Sequence, residues 1–390
     1  MKQIFDWFKK STIKQKQNIF SQSYFYDING ASWSDRDYLH FSDEGYKKNV
    51  IANRCISLIA KSAASIDWLL YDDHAKDRII KAHPLLNLLH KPNPIYGGAE
   101  FFEAIYSHKI ISGNAYILAV RNSSKEIVEL HFLRPDRVAI KAGKSNLPRG
   151  YVYETEDHKK YYPVDQITGE SDILHLRSFN PTDDLYGMSL VEPASYSIDL
   201  HNQASAWNQS LLQNGAKPCG AVTVRDAEGK PHFLSDEQYA KLRNELDSNF
   251  SGFQHAGRPL LLEGGLHWQE MSLSPKDMDF TEAKNSAARD IALAFGVPPQ
   301  LLGIKGDNTY NNMLEARLGF WEDTILPLVD KTIDAINNWI TTSFSRNLKL
   351  SYNKSEISAL SSKQNELWDK VSKADFLTDS EKRTLLGIAN

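Results

Sequence analysis

The stretch that decides the fold runs from Asp279 to Ile340 and reads DFTEAKNSAARDIALAFGVPPQLLGIKGDNTYNNMLEARLGFWEDTILPLVDKTIDAINNWI. Its first part carries apolar residues at steps of three and four, which is the spacing of one helix face. Most of these residues are small, so a second helix can approach the face closely. We predict a helix over 279–296 that packs on a neighbouring helix, with the closest contacts at Ala283, Ala287 and Ile291.

A short loop rich in proline and glycine follows at 297–308. Gly296 is typical of a helix C-terminus, and the two prolines behind it cannot continue the helix. Gly303 and Gly306 permit tight turns in the middle of the loop. At the far end Asn308 or Thr309 can cap the next helix. The pattern therefore predicts a loop whose two ends are fixed by the helices that it connects.

A long helix with a wide apolar face is predicted from 309 to 341. Pro327 lies inside it and lacks the backbone N–H that would bond to the carbonyl of Asp323. We therefore expect a kink at Pro327. Only small helices are predicted after it, over 342–390, and Thr378 and Glu381 form a capping box for the last one.

The rest of the chain alternates between helical and strand-like patterns. The predicted segments are a loop over 11–45, helices over 46–66, 83–90 and 101–112, five short strands between 115 and 176, and a helix from 189 to 214. Ser189 and Glu192 form a capping box at the start of that last helix. The segment 216–278 carries short strands and a helix capped by Ser235 and Gln238. Together these patterns predict an α+β fold.

The composition is that of an ordinary soluble protein. The chain has 390 residues, of which 41% are hydrophobic and 24% charged, and its net charge is −4. This balance argues against a protein that grips nucleic acid through its phosphates, but not against a surface past which nucleic acid slides. No apolar run reaches the ~18 residues of a membrane helix, so no membrane partner is predicted. Cys55 and Cys219 stand alone in the sequence, which fits a reducing compartment.

The twelve histidines show no arrangement that is typical of a metal or catalytic site. His83 and His90 are seven residues apart with no carboxylate in register, and His131 and His175 lie in strand-like runs. We interpret all four as packing or surface residues.

Two short motifs have both a functional and a structural interpretation. Asp183 and Asp184 could hold a divalent ion, but the Asn, Pro and Gly around them favour a turn. The string GIKGD at 303–307 lacks the spacing of a phosphate loop and follows no strand. We therefore predict no catalytic residue, no bound metal and no cofactor, and we expect that the chain is not an enzyme.

The ordered set of motifs resembles the portal proteins, or head-to-tail connectors, of tailed phages. In that family an acidic helix leads into a G-V-P-P-x-L-L-G loop, an N-N-rich helix start, an aromatic residue and a proline. The corresponding residues are Gly296–Gly303, Tyr310–Asn312, Phe320, Trp321 and Pro327. Three upstream strings also match, namely SGNAY at 112–116, LRPDRV at 133–138 and LHLRSFNPTDDLYGMS at 174–189. The resemblance is to portals of long-tailed phages and gene transfer agents, and it is weakest before residue 46.

The resemblance implies a division of the chain into the parts of the portal fold. The implied parts are an α/β wing over 1–187, a first stem helix over 188–215, a small clip over 216–278, a second stem helix over 279–296, a tunnel loop over 297–308, a long kinked wing helix over 309–341 and a short helical crown over 342–390.

The resemblance also implies a function. Copies of the chain, twelve in this family, would close into a ring around a channel at one capsid vertex, through which double-stranded DNA is packaged. The implied partners are further copies of the chain, the DNA, the terminase large subunit, the major capsid protein and a head-completion or adaptor protein. The implied location is the virion, after assembly in the cytoplasm of a bacterial host.

The tunnel loop would then be the part of the ring nearest to the DNA. The loop residues that we expect at the channel are Gln300, Gly303, Lys305, Gly306 and Asn308. Lys305 is the only cation of the loop, and in a ring it would repeat once per copy as a positive collar.

Two other classes of protein stay open at this point. One is a nuclease-like enzyme that processes DNA in the same particle, which would need clustered acidic ligands. The other is a cellular scaffold that oligomerises through its helices. A ring would have roughly ten times the mass of the 44.2 kDa chain, whereas an enzyme of this kind is expected as a monomer or dimer. The sequence does not distinguish a phage from a defective prophage or a gene transfer agent.

Overall fold

The computed structural model describes residues 37–72, 78–143, 147–213, 220–224, 235–250, 266–270, 280–304, 310–344, 348–374 and 376–385. Within these ranges helices and small antiparallel sheets are mixed, so the predicted α+β class is confirmed.

The α-helices of the described ranges come in three groups along the chain. The first group is α1 (Tyr38–His40), α2 (Val50–Ala64), α3 (Pro84–His90) and α4 (Gly98–Ser112). The second group is α5 (Val191–Gln213), α6 (Asp236–Phe250) and α7 (Phe280–Ala294). The third group is α8 (Tyr310–Gly319), α9 (Leu326–Ile336), α10 (Thr342–Phe344), α11 (Ser361–Ser372) and α12 (Asp379–Leu385). Wider π-helical turns occur at Phe41–Lys48, Phe320–Ile325 and Asn337–Thr341.

The strands of the described ranges are short and pair antiparallel. They are β1 (Trp68–Asp72), β2 (Arg78–Ile79), β3 (Asn114–Arg121), β4 (Ile127–Leu133), β5 (Val138–Ala142), β6 (Pro148–Glu154), β7 (Lys159–Pro163), β8 (Ile173–Arg177), β9 (Gly220–Val224), β10 (Leu266–Glu270) and β11 (Leu348–Tyr352). Their orders are β11–β1–β2, β4–β3–β8, β5–β6–β7 and β10–β9.

One hydrophobic core joins the N-terminal helices to the long helical region near the C-terminus. Helix α4 contributes fully buried aromatic residues, Phe101, Phe102 and Tyr106. Val329 of α9 and Leu350 of β11 belong to the same cluster. Residues that are far apart in sequence therefore depend on one another for their burial.

The structure corrects the predicted loop over 11–45, because residues 38–48 are helical. The side chain of Asp37 caps α1 by accepting from the N–H of His40, at 2.7 Å. Phe41 is buried in the main core, and the Tyr38 hydroxyl is hydrogen-bonded to Nδ1 of His108 at 2.9 Å. These long-range contacts order a polar segment whose local sequence does not favour a helix.

The helix predicted over 46–66 is interrupted at Asn49, which has extended backbone dihedrals. The Asn49 side chain accepts from the N–H groups of Ile51 and Ala52 and so caps α2. Its amide also donates to Oδ1 of Asn202 in α5, at 3.0 Å. The interruption therefore ties the start of α2 to α5.

Strand β11 corrects the prediction that 342–390 is entirely helical. It pairs with β1, so that Leu350 lies opposite Leu70 and Tyr352 opposite Trp68. Part of the predicted crown therefore belongs to a sheet with the N-terminal region. Strand β7 was also not predicted, because its sequence KKYYP is polar and becomes a strand only beside β6, where Tyr162 faces Tyr151.

Two predicted capping boxes are confirmed and one is wrong. At the start of α6 the Gln238 side chain accepts from the N–H of Ser235, and the Ser235 side chain accepts from the N–H of Gln238. Thr378 and Glu381 form the same two hydrogen bonds at the start of α12. Ser189 instead accepts from the N–H of Val191 and donates to a carbonyl of α4. Within 216–278 we also expect a short strand at 260–262, and these residues lie outside the described ranges.

Candidate functional site

The candidate site is built from α5, α7 and the loop that follows α7. The two helices are in contact with each other. On α7, Ala287 and Ile291 are buried, with 1% and 0% of their surface exposed, while Ala283 is half-buried. The predicted small-residue face is therefore the face that the structure covers, most completely toward the C-terminal end of the helix.

A second row of small residues on α7 receives the start of the loop. Ala288 and Ala292 form a small buried cluster with Ile304, and Ile51 of α2 packs on the same cluster. Because the alanine side chains are small, the loop can approach α7 closely, and Ile304 is only 8% exposed there. The first half of the loop is thus anchored on α7.

The loop begins with a tight turn. Gln300 lies in a 3₁₀ turn over Pro299–Leu302, and Gly303 follows in the left-handed region with φ of 72°. The N–H of Gly303 donates to the carbonyl of Gln300. The positive φ favours glycine, which is the reason that sequence analysis gave for Gly303. Lys305, Gly306 and Asn308 lie outside the described residues.

The long helix is bound to the end of α7 through its π-helical turn. The Thr324 hydroxyl donates to the carbonyl of Gly296, at 2.7 Å. Gly296 has φ of 66°, and a Cβ at this position would meet the Thr324 side chain. The π-helical turn Phe320–Ile325 directly precedes Pro327, which lies in the first turn of α9. The kink at Pro327 stays a prediction.

The start of α5 is held against the end of α4 by residues of two strings quoted above, SGNAY at 112–116 and the end of LHLRSFNPTDDLYGMS at 174–189. Gly113 ends α4 with φ of 76°. Its backbone lies so close to that of Gly187 that a Cβ added to either residue would overlap the backbone of the other. Asn114 Oδ1 accepts from the N–H of Gly187 at 2.7 Å. Ser189 Oγ donates to the carbonyl of Ile111 at 2.6 Å. This junction fixes the position of the start of α5 beside the end of α4.

His175 is the titratable group of this junction. Its Nε2 lies 2.9 Å from Asn114 Oδ1, and its ring stacks on Tyr116 with the centroids 4.5 Å apart. Burial, with smaller contributions from Arg177 and Lys109, lowers the pKa of His175 to about 3. The imidazole is therefore neutral near pH 7 and acts as a hydrogen-bonded packing group, as predicted.

The other histidines singled out in the sequence also have structural partners or lie exposed. His83 caps α3 by accepting from the N–H of Leu85, and His131 is paired with Glu129 at 2.8 Å. His90 is exposed.

Asp183 forms the predicted turn. Its Oδ1 accepts from the N–H groups of Leu185 and Tyr186, at 2.7 and 3.0 Å. Within the described ranges, no group of three or more His, Cys, Asp or Glu side chains is placed to hold a metal ion. None of the helices in the same ranges is long and apolar enough to cross a membrane.

Comparison with known proteins gives matches over nearly the whole chain. The family model described as phage portal protein matches residues 51–387. The portal protein of Enterobacteria phage HK97 is 26% identical over 74% of this chain and 66% of its own length.

Two solved structures are also similar. A chain in the neck of an empty gene transfer agent (GTA) particle, computed with C6 symmetry, has a TM-score of 0.72 and 40% identity. A chain in the neck of a native GTA particle, computed with C12 symmetry, has a TM-score of 0.70 and 39% identity. Each match covers 92% of this chain and 95% of the other.

Proposed function

Because the chain belongs to the phage portal protein family, we propose that twelve copies close into a ring that forms the DNA channel at one vertex of a capsid. The observation that carries this proposal is the full-length similarity to a chain in a particle neck computed with C12 symmetry. The similarity, at 39% identity, extends over 92% of the chain, so it supports the proposal along the whole fold rather than in one segment. Identical copies form a closed ring when the contact between neighbours repeats by a fixed rotation.

The parts of the ring follow from the arrangement of the helices. We assign α5 and α7 to the stem around the middle of the channel, and the residues 297–308 to the tunnel loop. The segment 216–278 between the two stem helices is the clip. The wing is formed by the core that joins residues 37–187 to the long helical region, and the helices after β11 form the crown. The support for this assignment is the contact between α5 and α7 and the anchoring of the loop on α7.

The ring acts by geometry rather than by chemistry. Double-stranded DNA passes through it, driven by the terminase large subunit, which docks during packaging. The major capsid protein surrounds it, and a head-completion or adaptor protein later binds its outer end. The ring is assembled in the cytoplasm of the bacterial host and remains in the virion.

The chain itself is not an enzyme in this proposal, and the nuclease-like alternative is not favoured. The purified protein should neither hydrolyse ATP nor cut DNA above background. Turnover that co-purifies with the chain and disappears in Asp183→Ala would contradict this part of the proposal, since Asp183 is assigned here to a turn.

The experiment that tests the channel uses Lys305 as a reporter. A ring of lysines facing DNA provides weak, salt-sensitive contacts with phosphate. Particles would be assembled with wild-type chain, with Lys305→Glu, and with Lys305→Arg as the control that keeps the charge. We expect intact rings in all three and reduced DNA content or retention only with glutamate. Normal filling and retention with glutamate would show that the loop does not meet DNA.

A further inference from the structure

A cavity of about 740 Å³ lies beside the short strand β8. Four of the five residues of this strand line it, namely Ile173, Leu174, His175 and Arg177. Trp339 lines it from the π-helical turn after α9, and its indole N–H donates to the carbonyl of Ser171 at 2.8 Å. The cavity has the volume of a typical binding site and follows nearly the whole strand.

Strand β8 lies at the edge of the sheet β4–β3–β8. On its inner side, the carbonyl of Asp172 accepts from β3, and the N–H of Ser178 donates to the residue before β3. In an antiparallel pair, successive residues direct their backbone groups to opposite sides. Ile173, His175 and Arg177 therefore direct theirs away from β3, toward the open edge.

Most of these outward groups have no partner among the residues that the structure describes. The N–H of Ile173 donates to the Ser171 hydroxyl at 3.1 Å. The N–H groups of His175 and Arg177 form no hydrogen bond within the described ranges. Unpaired backbone groups along a sheet edge are a template for a further strand. An extended peptide segment is therefore the class of ligand that this edge can bind.

The lining of the cavity narrows the chemistry of that segment. Tyr151 is buried, and Trp339 and Leu174 are half-buried, so the cavity offers aromatic and aliphatic contacts. The charged lining residues are three basic and three acidic ones, namely Arg121, Lys125, Arg177, Asp165, Glu170 and Asp172. Because these charges balance, the cavity favours a segment with aromatic or aliphatic side chains and little net charge.

Residues 17–28, which read QNIFSQSYFYDI, have this chemistry. Six of the twelve are isoleucine, phenylalanine or tyrosine, which are frequent in strands, and Asp27 is the single charged residue. Tyr24, Tyr26 and Ile28 recur at steps of two, so they would share one face of a strand. The next two residues are Asn-Gly, a typical turn.

The segment is also close enough to reach the cavity. Helix α1 lies within 8 Å, between Cα atoms, of the turn Pro135–Arg137, and that turn lies equally close to β6. Tyr151 of β6 lines the cavity. The chain from Ile28 to Asp37 spans up to ~30 Å when it is extended, which covers this path.

We propose that residues 17–28 bind in the cavity of their own chain as a further strand, paired with the open edge of β8. The backbone of the segment supplies partners for the N–H groups of His175 and Arg177, and its aromatic side chains pack against Trp339 and Tyr151. This pairing attaches the N-terminal region to the sheet and closes an edge to which other chains could add. It does not depend on the proposed ring.

Hydrogen exchange of single backbone amides tests the pairing. In the wild-type chain, the amides of His175 and Arg177 should exchange as slowly as the amides of β8 that bond to β3. In the double variant Phe25→Pro, Tyr26→Pro, one of the two prolines lies where an N–H would face β8, so the segment cannot pair. We expect the exchange of both amides to become faster there by about tenfold or more, with no change at the amides bonded to β3.

The control variant Lys14→Pro, Gln15→Pro places the same two prolines before the segment and should leave both amides slow. If His175 and Arg177 exchange at the same rates in wild type and in Phe25→Pro, Tyr26→Pro, the proposal is overturned.

Crosslinking identifies the occupant of the edge. A photo-crosslinking phenylalanine analogue would replace Phe25 or, as control, Phe8. Protein prepared from a mixture of isotopically light and heavy chains separates crosslinks within a chain from crosslinks between copies. Mass spectrometry should locate the crosslinks of position 25 on peptides that contain β8 or Trp339 of the same chain, and position 8 should give none there. Crosslinks from position 25 to another copy, or to other parts of the chain, would overturn the proposal.

Discussion

Gly187 and Gly113 are the residues on which the junction between α4 and α5 depends most directly. Neither position has room for a Cβ, and Gly113 also has a positive φ. Gly187→Ala should therefore push the two chain segments apart and lower the free energy of unfolding by ~1–3 kcal/mol. Denaturant unfolding measures the loss. The matched control is Gly97→Ala, because a Cβ at Gly97 meets no atom within 4 Å; an equal effect at both positions would contradict the tight crossing.

His175 makes stability depend on pH in a defined direction. Its folded-state pKa of about 3 lies below the value of about 6.5 in an unfolded chain. Between these values the unfolded chain binds a proton that the folded chain does not, so the free energy of unfolding falls as the pH is lowered below 6.5. His108 titrates in the same window, since burial lowers its pKa to about 4.

The contribution of His175 can be isolated by a variant. In His175→Gln the proton is no longer taken up at this site, so the stability advantage of wild type over the variant should shrink from pH 7.5 to pH 5. Urea unfolding at the two pH values measures this difference, and His108 cancels because it is present in both proteins. A difference that does not change with pH would show that His175 is accessible to protons in the folded state.

At the scale of elements, the small-residue face of α7 is closely packed. Ala287 is 1% exposed, so the extra atoms of a leucine have no space to occupy. Ala287→Leu should lower the free energy of unfolding by ~1–3 kcal/mol, because overpacking shifts the helices apart. Ser286→Leu is the control, since Ser286 is exposed on the same helix. Equal unfolding midpoints for the two variants would contradict close packing on this face.

The helices that sequence analysis predicted best are those whose apolar residues all point into one core. The spacing of Ala287 and Ile291 predicted one buried face of α7, but the second buried row, Ala288 and Ala292, was not predicted because it is covered only where the loop folds back. Helix α5 is different, since it carries apolar residues on a buried side, such as Ile198, and on an exposed side, such as Leu200. Its two apolar faces blur the helical pattern, and sequence analysis therefore named no buried face for this helix.

At the scale of the whole molecule, the features that sequence analysis missed depend on partners that are distant in the chain. Strand β11 requires β1, nearly three hundred residues earlier, and Asn49 interrupts a helix where it meets Asn202. The bond from Thr324 to the end of α7 arises where the long helix has wider turns. None of these contacts is visible as a local pattern in the amino-acid sequence. The order of the motifs along the chain, in contrast, was sufficient to identify the family.

The central claim is that this chain builds a ring with a channel, and electron microscopy of the purified protein combined with its native mass tests it most directly. The account predicts annular particles with twelvefold symmetry and a mass of about 530 kDa, twelve times the 44.2 kDa of one chain. A folded chain that remains a monomer or dimer at every concentration and salt condition, with no annular particles, would contradict the account.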